Sequence, residues 1–223
     1  LLRGDTQRSE RGRYPVYAPP PDLLTIDMAS MYPELKNLRL RGRVQGNKVV
    51  PYWTRTDIES GRGVERAEVL AWVEDPIELF FLQVQGSGRI ELPSGELLRV
   101  GYADQNGYPY KSIGKWLIDK GELTAGQATM QGIQAWAQAN PARLTELLNS
   151  NPSYVFFRRL NNNQGGPLGA LGVPLTDGYS IAVDARYTPL GAPVWLSTSF
   201  PLGNQPLQRL MHAQRSEERR VGK

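Results

Sequence analysis

Apolar and polar positions alternate most clearly between residues 68 and 104. The segments EVLAWVE (68–74), IELFFLQVQG (77–86), GRIEL (88–92) and ELLRVGYAD (96–104) are rich in aromatic and β-branched residues and predict strands. Pro93-Ser94-Gly95 joins the last two as a tight hairpin. The period then changes. SIGKWLIDKGE predicts a helix with Ser112 as N-cap and Gly121 as its stop. TAGQATMQGIQAWAQAN predicts a second, opening with Thr124 and Gln127 at capping-box spacing and carrying Ile133, Trp136 and Ala137 on one face. Asn140-Pro141 ends it. PARLTELLNSN starts a third, with Pro141 near its first turn and Leu144, Leu147 and Leu148 as its stripe. SYVFFRRL (153–160) returns to strand.

The flanks are less regular. Residues 1–13 are polar and arginine-rich and read as a mobile connecting segment. YPVYAPPP (14–21) is extended and runs into polyproline, where fixed φ blocks a helix. Residues 22–68 show few clear periods. NNNQGGPLGALG (161–172) reads as a loop and marks a domain boundary. VPLTDGYSIAVDARYTPLGAPVWLSTS then reads as strand, turn, strand, turn, strand, and the apolar stretch before Gln214 as one more. The pattern predicts a mostly β protein with a few helices, its first part an antiparallel sheet or small barrel.

Composition narrows the chemistry. The chain has 223 residues, enough for one or two domains with a real core, and 23 glycines and 17 prolines favour short strands and many turns. The net charge is +4, of which Arg215, Arg219, Arg220 and Lys223 against Glu217 and Glu218 supply half. The remainder is nearly neutral, which argues against a nucleic-acid partner. Without cysteine there are no disulfides, thiol nucleophiles or cysteine metal sites. No apolar run approaches the ~18 residues of a membrane span. The chain starts at Leu1 with neither Met nor a charged-then-apolar leader, so a fragment without a visible signal peptide is expected.

His212 is the only histidine, so a Ser-His-Asp triad or multi-histidine metal site would have to be built around it; a structural role is the simpler reading. Gln85-Gly86-Ser87-Gly88 lacks the third glycine of a dinucleotide fingerprint and the outer glycines of a nucleophile elbow. It reads either as a turn or bulge between strands or as backbone open to a ligand, with Gln85 and Ser87 offering hydrogen bonds. GYADQNGYPYKSIGK sets Tyr102, Tyr108 and Tyr110 among Asp104, Gln105, Asn106, Lys111 and Ser112. Aromatic faces mixed with amides and hydroxyls suit a sugar; the alternative is a turn whose tyrosines pack on the sheet. Asp184 ends the apolar run from Tyr179 to Val183. Desolvation there would raise its pKa and suit an acid, whereas turn amides or Arg186 would hold it as an ordinary carboxylate.

Four stretches, FLQVQGSGRIEL, GYADQNGYPYKSIGKWLIDKGEL, NPSYVFFR and PLGALGVPLTDGYSIAVDARYTPLGAPVWL, resemble the MltA family of membrane-bound lytic murein transglycosylases, from about Tyr14 to Gln214. The resemblance implies a β-barrel domain, residues 14–158, inserted into a double-psi β-barrel. Residues 159–214 would form part of that barrel, the three-aspartate module, leaving it incomplete. The implied reaction cleaves the β-1,4 bond between N-acetylmuramic acid and N-acetylglucosamine without water. One carboxylic acid protonates the glycosidic oxygen; as carboxylate it then takes the proton of the sugar's C6 hydroxyl, which attacks C1 and closes a 1,6-anhydro ring. One acid suffices because the nucleophile is intramolecular. No cofactor or metal is implied. The implied partner is the peptidoglycan glycan strand, with a monomeric protein in the periplasm, anchored by lipid to the outer membrane in family members.

By the same resemblance Asp184 matches the first, supporting aspartate. Gln85, Gly86, Ser87 and Gly88, with Tyr102, Tyr108, Tyr110, Lys111 and Ser112, would line the sugar groove. The second aspartate follows a stretch like LMHAQ in the family; Arg215 stands there, and the third, the acid/base, would lie farther on. Residues 215–223, RSEERRVGK, are what a string resembling a common DNA-sequencing adapter would encode. They are expected to be a non-native tail on a truncated, inactive copy.

Overall fold

A computed structural model describes residues 1–35, 38, 40–160, 169–200 and 203–216. Contacts divide the chain into two units, the first spanning Leu1–Leu160 and the second containing the described residues from 169 onward. The boundary read in residues 161–168 lies outside the described residues.

In the first unit β1 (Leu2–Asp5), β2 (Tyr14–Tyr17), β3 (Leu24–Thr25), β4 (Arg41–Gln45) and β5 (Lys48–Pro51) precede helix α1 (Arg55–Glu59). β6 (Val69–Val73), helix α2 (Pro76–Gln85), β7 (Ser87–Glu91) and β8 (Leu97–Gln105) follow. Helices α3 (Ile113–Asp119), α4 (Met130–Ala139) and α5 (Leu144–Asn149) lead into β9 (Val155–Arg159). The six-stranded sheet runs β2-β6-β1-β7-β8-β9, and β3-β4-β5 form a separate sheet. The architecture is mostly β with short helices, as the pattern predicts. The edge strands β2 and β9 pack together without pairing, so among the described residues the sheet curls but does not close into the expected barrel.

Local chemistry explains the helices. Thr54 caps α1 in a reciprocal box with Asp57, Ser112 caps α3 and Thr129 caps α4. Thr124 and Gln127 do bond as a capping pair, Thr124 Oγ1 donating to Gln127 Oε1 at 2.9 Å, but they hold only a turn, and the helix starts six residues beyond Thr124, at Met130. IELFFLQVQG, expected as a strand, is the helix α2. Asp75 accepts from the amides of Ile77 and Glu78, Pro76 occupies the first turn, and Gly86 closes the end at φ +79°. Both faces of this segment are apolar enough to pass for a buried strand; its two termini decide the matter.

Residues 2–5, expected within a connecting segment, are instead the interior strand β1, antiparallel to β6 and parallel to β7, with Leu2 buried. A parallel neighbour and a close approach by Gly4 give so polar a stretch its place, which alternation alone does not signal.

Three apolar clusters hold this unit. One lies on the six-stranded sheet around Leu70, Val73, Ile90, Val100 and Phe157, with α2 contributing Leu79 and Leu82. The second gathers Ile77 and Phe80 of α2 with Ile113, Leu117, Ile133, Trp136, Leu147 and Leu148 of α3 to α5. The third centres on Tyr52, Ile58, Tyr154 and Phe156. β9 therefore buries both faces: Val155 and Phe157 in the first cluster, Phe156 in the third. Each such side chain contributes about 1.5–3 kcal/mol of transfer free energy.

The second unit holds β10 (Ser180–Val183), β11 (Pro193–Ser199) and β12 (Pro206–Ser216) in the order β10-β12-β11. β10 is parallel to β12 and β11 antiparallel to it. The strand expected before Asp177 does not form; Tyr179 and Ser180 amides bond back to Thr176 O in a turn. β12 runs past Gln214: Arg215 and Ser216 pair with Ala182 and Val183. Backbone pairing is indifferent to side-chain identity, so a strand passes through the point where the sequence changes character. Residues 217–223 lie outside the described residues.

Candidate active site and glycan-binding surface

The nominated residues fall into three places. The first is the corner where α2 meets β7. Gly86 N–H donates to Leu82 O at 2.8 Å, and its left-handed backbone turns the chain directly into β7. Ser87 then pairs with Gly101, and Tyr102 N–H donates to Gly86 O at 2.6 Å. A Cβ on Gly88 would stand 2.5 Å from Leu82 Cδ1, so glycine there lets the helix lie on the strand. The motif is a helix-to-strand junction rather than a turn between strands. It leaves the Gln85 side chain exposed, Ser87 half-buried, and the half-buried ring of Tyr102 packed on the first cluster.

The second place is the segment after β8. A bulge between Tyr102 and Asp104 re-aims the strand. Asp104 accepts from Arg41 Nε at 2.9 and 3.0 Å, tying β8 to the small sheet. Asn106 is buried and fully used: Nδ2 donates to Trp53 O (2.9 Å) and Pro152 O (2.8 Å), and Oδ1 accepts from Tyr154 N (2.8 Å). Tyr108 Oη donates to Tyr52 O at 3.1 Å. Tyr110 packs on the helical cluster; burial pushes its phenol pKa up, against the pull of a hydrogen bond with Ser112. Lys111 N donates to Asn151 Oδ1 at 3.0 Å while its side chain is exposed, and Ser112 Oγ accepts from Lys115 N at 3.2 Å as the cap of α3. Of this set, Tyr108, Tyr110 and Ser112 are partly committed to scaffold bonds, and the Lys111 side chain is exposed. An open depression of about 420 Å³, lined by Pro21, Asp22, Gly63, Glu65 and Arg66, includes none of the nominated residues.

The third place is Asp184, at the end of β10 in the second unit. It accepts from Arg186 N at 2.9 Å, Arg186 Nε at 3.0 and 3.1 Å, and Arg186 Nη2 at 2.6 Å. The guanidinium and the backbone amide hold its carboxyl at about 2, below the ordinary 3.8. The raised-pKa alternative is therefore overturned: Asp184 is a standing anion and a poor proton donor. His212 is exposed on β12, not buried among its apolar neighbours.

A family model described as the MltA specific insert domain matches residues 1–158, and a second, the 3D domain, matches residues 179–215. The chain belongs to the MltA family of lytic murein transglycosylases. It is 38% identical over 141 residues to the membrane-bound lytic murein transglycosylase A of Escherichia coli K12, covering 62% of this chain and 38% of that protein. The MltA structure from Neisseria gonorrhoeae superposes on 98% of the chain with a TM-score of 0.87 at 41% identity, covering 61% of that structure. The E. coli MltA structure with bound chitohexaose superposes on 98% with a TM-score of 0.73 at 28% identity, covering 58% of that structure. The chain thus spans about two fifths of the curated relative and about three fifths of the solved ones. Among the described residues no helix is long and apolar enough to cross a membrane.

Within this MltA insert the sequence reading missed the group that joins the first two places. Arg55 of α1, only 3% exposed, donates to Gln83 of α2, to the carbonyls of Asn151 and Ser153, and to Glu59. Burial pulls its pKa down and pushes that of Glu59 up, Arg55 partly offsetting the latter. One signal was available: an arginine beside the capping box, in the helix whose Ile58 is core, is out of place on an apolar face.

Proposed function

We propose that this MltA-family chain belongs to a peptidoglycan lytic transglycosylase that cleaves the β-1,4 bond between N-acetylmuramic acid and N-acetylglucosamine and leaves 1,6-anhydro ends. The observation that carries the reading is the correspondence of 98% of the chain with an MltA structure holding chitohexaose, a β-1,4-linked amino-sugar chain. The corner at Gln85 to Gly88, Tyr102 and the 108–112 segment would line the glycan path. Their mixture of exposed amide and ammonium groups with half-buried aromatic rings fits sugar hydroxyls and C–H faces.

In this scheme Asp184 supports the reaction as an anion. With its carboxyl held at about 2 it does not deliver the proton to the glycosidic oxygen. That task, and removal of the C6 hydroxyl proton, fall to a further carboxylate. Arg215 stands where the family pattern has its second aspartate. We therefore expect residues 1–223 by themselves to bind glycan without cleaving it, which keeps a catalytically silent glycan-binding module as the second reading. Action on periplasmic peptidoglycan, with anchoring at the outer membrane, follows from the same family reading, as does a monomeric state.

The test has two arms. Digestion of purified peptidoglycan should yield no 1,6-anhydro muropeptides with this chain and should yield them when the family's remaining C-terminal segment is joined to it. A folded, extended protein that stays inactive would refute the transglycosylase reading. Calorimetric titration with chitohexaose should show saturable binding, weakened by Tyr102→Ala; no binding by the folded chain would refute the groove.

A further inference from the structure

Arg55 is an expensive residue to bury. Removing a charge from water costs several kcal/mol after relaxation, and an apolar side chain of similar volume is commonly the more stable choice. Glu59, its ionic partner among the described residues, is itself partly exposed. What the guanidinium provides is geometry. Its planar fork donates from Nη2 to Gln83 Oε1 (2.5 Å) and Ser153 O (2.7 Å), from Nε to Asn151 O (3.1 Å) and from Nη1 to Glu59 Oε1 (3.1 Å). Its carbon lies 4.8 Å from the Phe80 ring centre and 5.1 Å from that of Tyr154. Two of these links lead to the nominated surface. Gln83 lies two residues before Gln85, in the last turn of α2. Asn151, held through its carbonyl, presents Oδ1 to Lys111 N at 3.0 Å. Arg55 thus reaches the end of α2 directly, through Gln83, and the second segment through Asn151.

Building on the glycan-binding reading above, we propose that Arg55 is the positioning residue of this surface, fixing the end of α2 that carries Gln85 to Gly88 against the segment that carries Tyr108 to Ser112. Lysine would keep the charge and lose the fork, because a single ammonium cannot meet planar acceptors on separate segments at these angles.

The test is calorimetric titration of the full chain with chitohexaose, well below each variant's melting temperature, so that affinity is not diluted by unfolded protein. Arg55→Lys and Gln83→Met should each weaken binding by about fivefold or more, the worth of one lost hydrogen bond. Val16→Ala, a cut in the first apolar cluster that removes none of the hydrogen bonds of Arg55, should lower the melting temperature and leave affinity within about twofold. If folded Arg55→Lys and Gln83→Met bind as the parent does, or if Val16→Ala loses as much, Arg55 is only a structural residue. If Arg55→Lys does not fold, Gln83→Met decides, since it removes one link and leaves the charge in place. If the parent chain binds no chitohexaose, the glycan reading falls first and the positioning role with it.

Discussion

Residues 1–160 bury three apolar clusters, whereas among the described residues of the second unit only Val183, Met211 and Ala213 are buried hydrophobics. Both units are built on strands, yet among the described residues only the first supplies a second layer. Its sheet is covered by α2, and α2 in turn by α3 to α5. In the second unit Trp195 and Leu210 face each other across β11 and β12 and are 64% and 52% exposed, and Tyr179, Tyr187 and Phe200 are exposed as well. A strand pattern specifies a face; it does not provide what covers that face. The contrast extends to polar groups. The first unit buries Arg55, Gln83, Asn106, Asn151 and Ser153 and bonds them, while the second unit's Asp184 and Arg186 pair at the surface.

The largest expected effect is a truncation of the core where two clusters share a strand. Phe156→Ala should cost about 3–5 kcal/mol by chemical denaturation monitored on unit-one tryptophans. A cost near 1 kcal/mol would mean that the third cluster is looser than its burial implies. Next, limited proteolysis should cut within residues 169–216 well before residues 1–160, since backbone opening is cheap where few apolar contacts must break. The reverse order would break the comparison outright.

Acid should then act on the units with opposite sign. Asp184 has a lowered folded pKa, so its contribution is present above about pH 4 and is lost as pH falls towards 2. Glu59 has a raised one, so its contribution is present below its ordinary 4.5 and is lost as pH rises through its folded value. Amide exchange between pH 6 and 3 should show β10 loosening near the acid end. It should also show α1 of the parent losing protection relative to a Glu59→Gln variant towards the upper end; equal behaviour of the two proteins would remove Glu59 from the account. Smallest of all, Trp195→Ser should change stability by no more than about 0.5 kcal/mol, because an exposed ring has little burial to lose. A loss of 2 kcal/mol or more would show that the β11–β12 face is covered after all.

Much of the first unit was legible as pattern. β6 to β9 follow their aromatic and β-branched runs, and Ser112, Gly121 and Pro141 mark helix ends in the right places. α2 was misread because its apolar run satisfies both periods, and the deciding signals, Asp75-Pro76 and Gly86, lie at its ends. The candidate site was legible as two motifs but not as one surface. Arg55 meets its partners across sequence separations of 28, 96 and 98 residues, which no local window spans.

The sequence by itself determined the ends of α3 at Ser112 and Gly121, the break at Asn140-Pro141, which strands alternate from β6 to β9, and which family motifs the chain carries. These depend on hydrogen bonds and sterics within a few residues. Only the tertiary structure decided that polar residues 2–5 run between β6 and β7, that Tyr110 packs on the helical cluster, and that Arg55 is buried among Gln83, Asn151 and Ser153. Each of those outcomes depends on burial and on a partner's placement, which exist only once distant segments have met.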